Sequence, residues 1–301
     1  MKKVYKEVQP DIVLVHGDTT TTVSAALAAF YAGVSVGHVE AGLRTNDKFS
    51  PYPEEMNRKL VGNIADLNFC PTAGNKENLR KESIDTRVFV TGNTVIAAMK
   101  STVRENFESA IPEIRELPAD KKIIALTCHR RENYGEPMRN IFRAIRRIAE
   151  ERSDVVFVYP VHLSPVVRDT AGEILGGVEN IKLIEPLDAV EMHNLMAKSY
   201  MVMTDSGGLQ EEAPSIGKPV LVLRRETERP EAVTAGTVKL AGVEEQAIYD
   251  MAIELLSSEA AYKKMAEAAN PYGDGKACER IADAILYAFG KSDVRPSEFR
   301  Q

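Results

Sequence analysis

At 301 residues the chain has room for two domains of ordinary size, each with its own core. Its 44% hydrophobic and 27% charged residues are those of a globular protein, and a formal charge of -6 excludes a general nucleic-acid binder. Cys70, Cys128 and Cys278 are scattered and odd in number, which supports neither a disulfide framework nor a zinc site and fits a reducing cytoplasm.

Met1 to Val8 has helical character without a signal-peptide pattern, and nowhere does an apolar run approach the roughly 18 residues of a membrane span. The run Asp11-Ile-Val-Leu-Val-His16 predicts a strand covered on both faces, which belongs in the middle of a parallel sheet. After Gly17-Asp18, the apolar spacing of Val23, Ala26, Leu27, Phe30 and Tyr31 predicts a helix, and Val34 to Val39 a second strand. The alternation continues with helix 54–65, strand 67–70, helix 73–82, strand 87–91 and helix 94–106.

From Glu108 to Lys121 periodicity is lost between Pro112 and Pro118, which predicts a linker over 109–121. The expected domains are thus 1–108 and 122–290, with a loose tail at 291–301. Strands at 122–127, 155–159, 181–184, 200–204, 219–223 and 237–240 make the second domain another parallel α/β sheet, followed by helices 244–256, 260–269 and 276–289.

The densest stretch is Thr204-Asp-Ser-Gly-Gly-Leu-Gln-Glu-Glu-Ala-Pro-Ser-Ile-Gly-Lys-Pro219. A strand leads into a glycine pair, with Asp205 or Ser206 placed to cap a helix starting near Gly207, and exposed N–H groups at such a start suit an anion. Glu211 and Glu212 follow one turn later, where a carboxylate can accept hydrogen bonds from a ribose diol. A tightly packed capped helix is the alternative for the glycine pair alone.

The first half poses a physical problem. If Ile12 to His16 is central, its neighbour on one side is absent from the sequence, leaving backbone donors and apolar side chains unpaired. The expectation is a first domain that lacks its first strands.

Six ordered strings then carry a resemblance: His16-Gly-Asp-Thr-Thr-Thr-Thr22, His38-Val-Glu-Ala-Gly-Leu-Arg-Thr45, Pro53-Glu-Glu-Met-Asn-Arg58, His129-Arg-Arg-Glu-Asn133, Asp205-Ser-Gly-Gly-Leu-Gln-Glu-Glu-Ala-Pro214 and Thr227-Glu-Arg-Pro-Glu-Ala232. From about Lys3 to Phe289 the chain resembles the non-hydrolysing UDP-N-acetylglucosamine 2-epimerases. The resemblance implies two Rossmann-like domains in a GT-B type arrangement, a substrate cleft between them, and interconversion of UDP-N-acetylglucosamine and UDP-N-acetylmannosamine. It implies no cofactor or metal, a homodimer, and UDP-N-acetylglucosamine or UDP as partner. The family's opening strand and Gly-Thr-Arg-Pro-Glu turn, which carries a substrate arginine, have no counterpart here. The expectation for this chain alone is therefore UDP binding with little turnover.

Carbon 2 of an N-acetylhexosamine bears no carbonyl, so its hydrogen is weakly acidic. In the family, UDP leaves carbon 1 as the carbon 2 proton is removed, and then adds back to the glycal with protonation on the opposite face. That route needs carboxylates for the proton and fixed positive partners for the diphosphate. By resemblance Asp18, Glu40 and Glu54 are the acid/base group, each at or just beyond a strand end. Asp18 could instead cap the following helix and Glu54 complement a helix start, whereas Glu40 has no such task.

The resemblance also makes His129 a contact to the substrate, with Arg130 and Arg131 beside it. Ser206, Gly207, Gly208 and Glu212 match phosphate and ribose contacts, Arg229 a further substrate arginine, and Leu187 and Met192 contacts to uracil. His162 matches a segment tied to a second, activating substrate molecule. His16, His38 and His193 read as isolated structural histidines. Two rival functions are a UDP-sugar binding or regulatory remnant and a GT-B glycosyltransferase, which would not require the three carboxylates together.

Overall fold

The computed structural model describes residues 1–300, which divide into two compact units, Met1–Ala97 together with the chain from Pro271 onward, and Ala98–Asn270. In the first unit α1 (Lys2–Val8), β1 (Ile12–His16), α2 (Thr20–Tyr31), β2 (Ser35–Val39), α3 (Glu54–Ile64), β3 (Leu67–Cys70), α4 (Ala73–Lys81) and β4 (Val88–Val90) alternate. All strand pairs are parallel and the sheet order is β1-β2-β3-β4.

One face of this sheet, through Val15 and Val36, packs on Ala26 and Ala29 of α2 and Val61 of α3. Phe69 and Phe89 on the other strands pack against Ile281 and Ala284 of a helix that arrives from the far end of the chain. Small alanines on α2 let it lie close to the sheet, and Thr19, whose side chain accepts from Thr22 N–H, starts the helix. The alternative task considered for Asp18, capping α2, is thus taken by its neighbour.

Two expectations change here. The apolar run Ile12–His16 forms a strand but stands at the sheet edge, where Val15 is buried and Leu14 is 49% exposed. An unbroken apolar run has no means of distinguishing a central strand from an edge one. The second change concerns the chain's end. The sequence division placed 276–289 with the second domain and left 291–301 loose. Instead the terminal helix packs on the first sheet, Phe299 N–H donates to Val90 O at 2.8 Å, and Lys76 pairs with Glu298 at 2.6 Å.

α5 (Thr94–Thr102) leads into the second unit, where α6 (Pro112–Arg115), β5 (Lys122–Thr127), α7 (Glu136–Glu151), β6 (Val155–Pro160), α8 (Pro165–Leu175), β7 (Ile181–Ile184), α9 (Ala189–Lys198), β8 (Met201–Thr204), α10 (Leu209–Ser215), β9 (Val220–Val222), α11 (Pro230–Ala235), β10 (Val238–Leu240), α12 (Glu245–Ser257) and α13 (Glu259–Ala266) follow; α14 (Ala277–Ala288) is the terminal helix of the first unit. The predicted linker 109–121 is built into this unit. Glu191 of α9 accepts from Ser109 Oγ at 2.7 Å and from Ala110 N–H at 2.8 Å, and Ile114 is buried. A single helical turn is too short to leave a readable period.

The second sheet is parallel throughout, in the order β10-β9-β8-β5-β6-β7. On one face Ile124, Leu126, Phe157 and Leu221 pack with Phe142 and Ile145 of α7, and on the other Ala125, Val158, Val202 and Val220 are buried, all with no exposed surface. The order steps outward from β5 through β6 and β7 on one side, and from β8 through β9 and β10 on the other. Chain direction away from the centre therefore reverses between β5 and β8, and open α/β sheets bind ligands beyond the strand ends at such a reversal.

Candidate active site

The first group of residues lies at the carboxyl ends of β1 and β2 and at the start of α3. Asp18 follows β1 and is gripped by Arg58 of α3, whose Nε and Nη2 lie 2.9 Å and 2.8 Å from Asp18 Oδ2. Asn57 Nδ2 donates to the Asp18 carbonyl at 2.8 Å. Arg58 is itself held by Glu55, a carboxylate with no exposed surface that also accepts from the N–H groups of Thr45 and Asn46 at 3.1 Å and 3.0 Å. Glu54 is the first residue of α3, one turn ahead of Arg58 and so on the same helix face.

Glu40 follows β2 with φ 66°, a left-handed conformation that costs a residue with a Cβ about 1–2 kcal/mol. A strained carboxylate at a strand end marks a place where side-chain direction outweighs backbone comfort. His16 Nε2 lies 3.5 Å from Glu40 Oε2, so His16 takes part in this group. The glycine two residues beyond Glu40 is needed for a different reason: Gly42 has φ 87°, and an added Cβ would stand 2.2 Å from the Asn75 carbonyl oxygen.

His38 is buried beneath these loops and its Nε2 bonds the Gly17 carbonyl at 2.8 Å, which locks the turn that carries Asp18. Burial pushes its pKa down to about 4, against the opposing pull of the Gly17 carbonyl and Glu40. On acidification the unfolded imidazole therefore takes up its proton first, and stability is lost as pH falls from about 6.5 to about 4. We expect a loss on the order of 3 kcal/mol across that window. Urea midpoints at several pH values should show it, with a shallower pH slope in His38→Asn.

The second group sits at the β5/β8 reversal. Thr127 and Thr204 face each other across the two strands with hydroxyls 2.6 Å apart, and the loops beyond them carry the motif residues. Asp205 has no exposed surface and accepts from His129 N–H and Arg130 N–H, both at 2.8 Å, and from Asn133 Nδ2 at 3.1 Å. It shapes the His129-Arg-Arg loop and does not cap α10, contrary to the expectation from sequence. Ser206 N–H turns back to Thr204 Oγ1 at 2.9 Å. α10 has Gly208 at its N-cap with no side-chain cap, and it has only seven residues.

His129 Nδ1 lies 3.5 Å from Asp205 Oδ1, and its ring stacks on His162 at 5.3 Å and 13°. Burial, with His162 and Arg130 nearby, lowers the His129 pKa despite the pull of Asp205, which keeps the ring neutral at pH 7. A carboxylate beside Nδ1 favours the proton there and leaves Nε2 as an acceptor. His162 Nδ1 in turn accepts from Ser164 N–H at 3.1 Å.

Glu212 has His193 Nε2 at 3.5 Å, and His193 Nδ1 is 2.7 Å from Thr102 Oγ1. Glu211, weighed beside Glu212 for the ribose, is spent on an ion pair with Arg229 at 2.5 Å and is 1% exposed. Arg130 is partly exposed, and Arg131 is exposed at the start of a short 3-10 turn. Leu187 and Met192, both partly buried, flank the Asp188 cap of α9 at the spacing of a hydrophobic staple.

Sequence reasoning missed Arg58, Glu55 and Asp205 as organisers. Arg58 and Glu55 lie within the quoted Pro53–Arg58 string, and their three-residue spacing on a helix was a readable sign that they touch. Among the described residues no group of three metal-ligating side chains occurs, Cys70 and Cys128 are buried free thiols, Cys278 is exposed, and no helix is long and apolar enough to cross a membrane.

Two parallel sheets with interleaved helices, one with a strand-order reversal lined by motif loops, define an α/β protein of the two-domain Rossmann-like GT-B class. A family profile described as UDP-N-acetylglucosamine 2-epimerase matches residues 1–286. The chain is 55% identical over 300 residues to the UDP-N-acetylglucosamine 2-epimerase of Bacillus subtilis, covering 99% of this chain and 78% of that one. It superposes on the S. aureus MnaA-UDP co-structure with a TM-score of 0.94 at 53% identity, covering 99% of this chain and 81% of that one. For UDP-GlcNAc 2-epimerase from Neisseria meningitidis bound to UDP-GlcNAc the TM-score is 0.89 at 47% identity, with 95% and 78% covered. The chain belongs to the UDP-N-acetylglucosamine 2-epimerase family.

Proposed function

We propose that this chain inverts carbon 2 of UDP-N-acetylglucosamine to give UDP-N-acetylmannosamine. The first unit does the proton chemistry and the second holds the UDP. A carboxylate takes the carbon 2 proton as the carbon 1–oxygen bond breaks and its electrons leave with UDP, forming a glycal. UDP then adds back to carbon 1 while a proton is delivered to the opposite face of carbon 2, so nothing is consumed.

The observation that carries this reading is the carboxylate group itself: Asp18 gripped by Arg58, Glu40 in a left-handed backbone, and Glu54 one turn ahead of Arg58. A glycosyltransferase has no need for it. His129, Arg130, Arg131 and Arg229 face the diphosphate in this reading, with Ser206, Gly207 and Gly208 offering close backbone approach. Glu212 takes the ribose diol, and Leu187 and Met192 border the uracil. The neutral His129 can accept a proton at Nε2, so it serves the departing diphosphate best when protonated in the course of the reaction. His162, stacked on His129, is the link to a second, activating substrate molecule. A homodimer in the cytoplasm completes the reading.

Proton NMR of UDP-N-acetylglucosamine with the chain in deuterium oxide tests it. Deuterium at carbon 2 in both epimers is the expected result, and it would overturn the sequence-based expectation of little turnover. UDP binding with protium retained would instead favour a UDP-sugar binding remnant, and free N-acetylmannosamine would indicate hydrolysis.

A further inference from the structure

Glu228 lies in the loop between β9 and α11 with its side chain 2% exposed. Its Oε2 accepts from Arg224 Nη1 at 2.8 Å and its Oε1 from Arg229 Nη1 at 2.6 Å, while Arg130 Nη2 stands 4.0 Å from the same Oε1. Burial by itself would raise the pKa of this carboxyl, but Arg229 and Arg224 outweigh it and pull the value down to about 2. Glu228 is therefore a fixed anion at any working pH. Arg229 is also tied through Nε to Glu211 at 2.5 Å, and its N–H to Thr227 Oγ1 at 3.1 Å.

The guanidinium–carboxylate pair lies directly over Gly207. A Cβ there would be 2.4 Å from Arg229 Nη1, 2.9 Å from its Cζ and 2.8 Å from Glu228 Oε1. The Gly207 backbone is not among those with positive φ, so no conformational demand explains the glycine. Its missing side chain makes room for the pair.

We propose that Glu228 is a positioning residue that holds the Arg229 guanidinium across the bare face of Gly207, so that a diphosphate meets an already fixed cation. This rests on the reading of these loops as a UDP site. A guanidinium ordered in advance loses less freedom when it binds a phosphate, and its forked donors act at full strength only when aimed. A buried ion pair that merely holds the loop together would affect every ligand of the site alike.

Titrations of UDP and of uridine into the purified chain separate these cases. For Glu228→Gln we expect UDP affinity to fall about tenfold while uridine affinity stays within about twofold. Glu228→Asp should recover part of the loss. Gly207→Ala, which pushes the guanidinium aside without removing a charge, should reproduce it and covers the case in which Glu228→Gln fails to fold. Unchanged UDP affinity in Glu228→Gln, or equal losses for UDP and uridine, would overturn the proposal. An unsubstituted chain that binds no UDP would overturn the underlying site reading, a result visible before any variant is made.

Discussion

Asp18→Asn is expected to slow deuterium incorporation at carbon 2 by about 10²–10⁴-fold, the range a positioned acid or base contributes to proton transfer. The amide keeps the shape of the carboxylate and can still accept from Arg58, so the turn that Asn57 and Arg58 hold should survive. What disappears is the ability to take or give a proton. UDP affinity, which the proposed function assigns to the second unit, should stay within about twofold of the unsubstituted chain. A variant that exchanged carbon 2 hydrogen at the original rate would remove Asp18 from the acid/base group. Parallel measurement of Glu40→Gln and Glu54→Gln would then show which carboxylate does the work.

Arg58→Leu should cost the fold about 3–5 kcal/mol, because Arg58 is the side-chain cation paired with Glu55, which has no exposed surface at all. Thr45 and Asn46 N–H would still donate to Glu55, which places the cost toward the lower end of that range. Urea unfolding followed by circular dichroism measures the loss. The same change releases Asp18, so turnover should fall further than stability alone accounts for, with UDP binding retained. Arg58→Lys offers one ammonium where two groups need separate donors, and should restore only part of either property. Equal losses in exchange rate and UDP affinity would point to general unfolding and against a positioning role for Arg58.

Most residues of the proposed site could be picked out before the fold was known, because they cluster in short strings directly after apolar strands. A strand followed by Gly-Asp, by Glu-Ala-Gly or by Ser-Gly-Gly announces a loop at the carboxyl end of a parallel sheet, whichever strands turn out to be neighbours. Local roles were harder. Asp205 looked like a helix cap because it precedes a glycine pair and a helix, yet its carboxylate serves the loop after β5, some 75 residues earlier in the chain. Glu211 and Glu212 were indistinguishable as text; helix geometry turns one toward Arg229 and the other toward His193.

The alternation of period-3.6 and short apolar segments was sufficient to determine an α/β chain with two parallel sheets, since those periods follow from backbone geometry alone. The motif strings likewise sufficed for the family. Only tertiary structure decided that the terminal helix belongs to the first sheet, that Ile12–His16 is an edge strand, that Arg58 pairs with Asp18 and Glu55, and that Glu228 pairs with Arg229. Periodicity is local and records which face of an element is apolar. It carries no information about which partner covers that face, or which distant charge a buried carboxylate will meet.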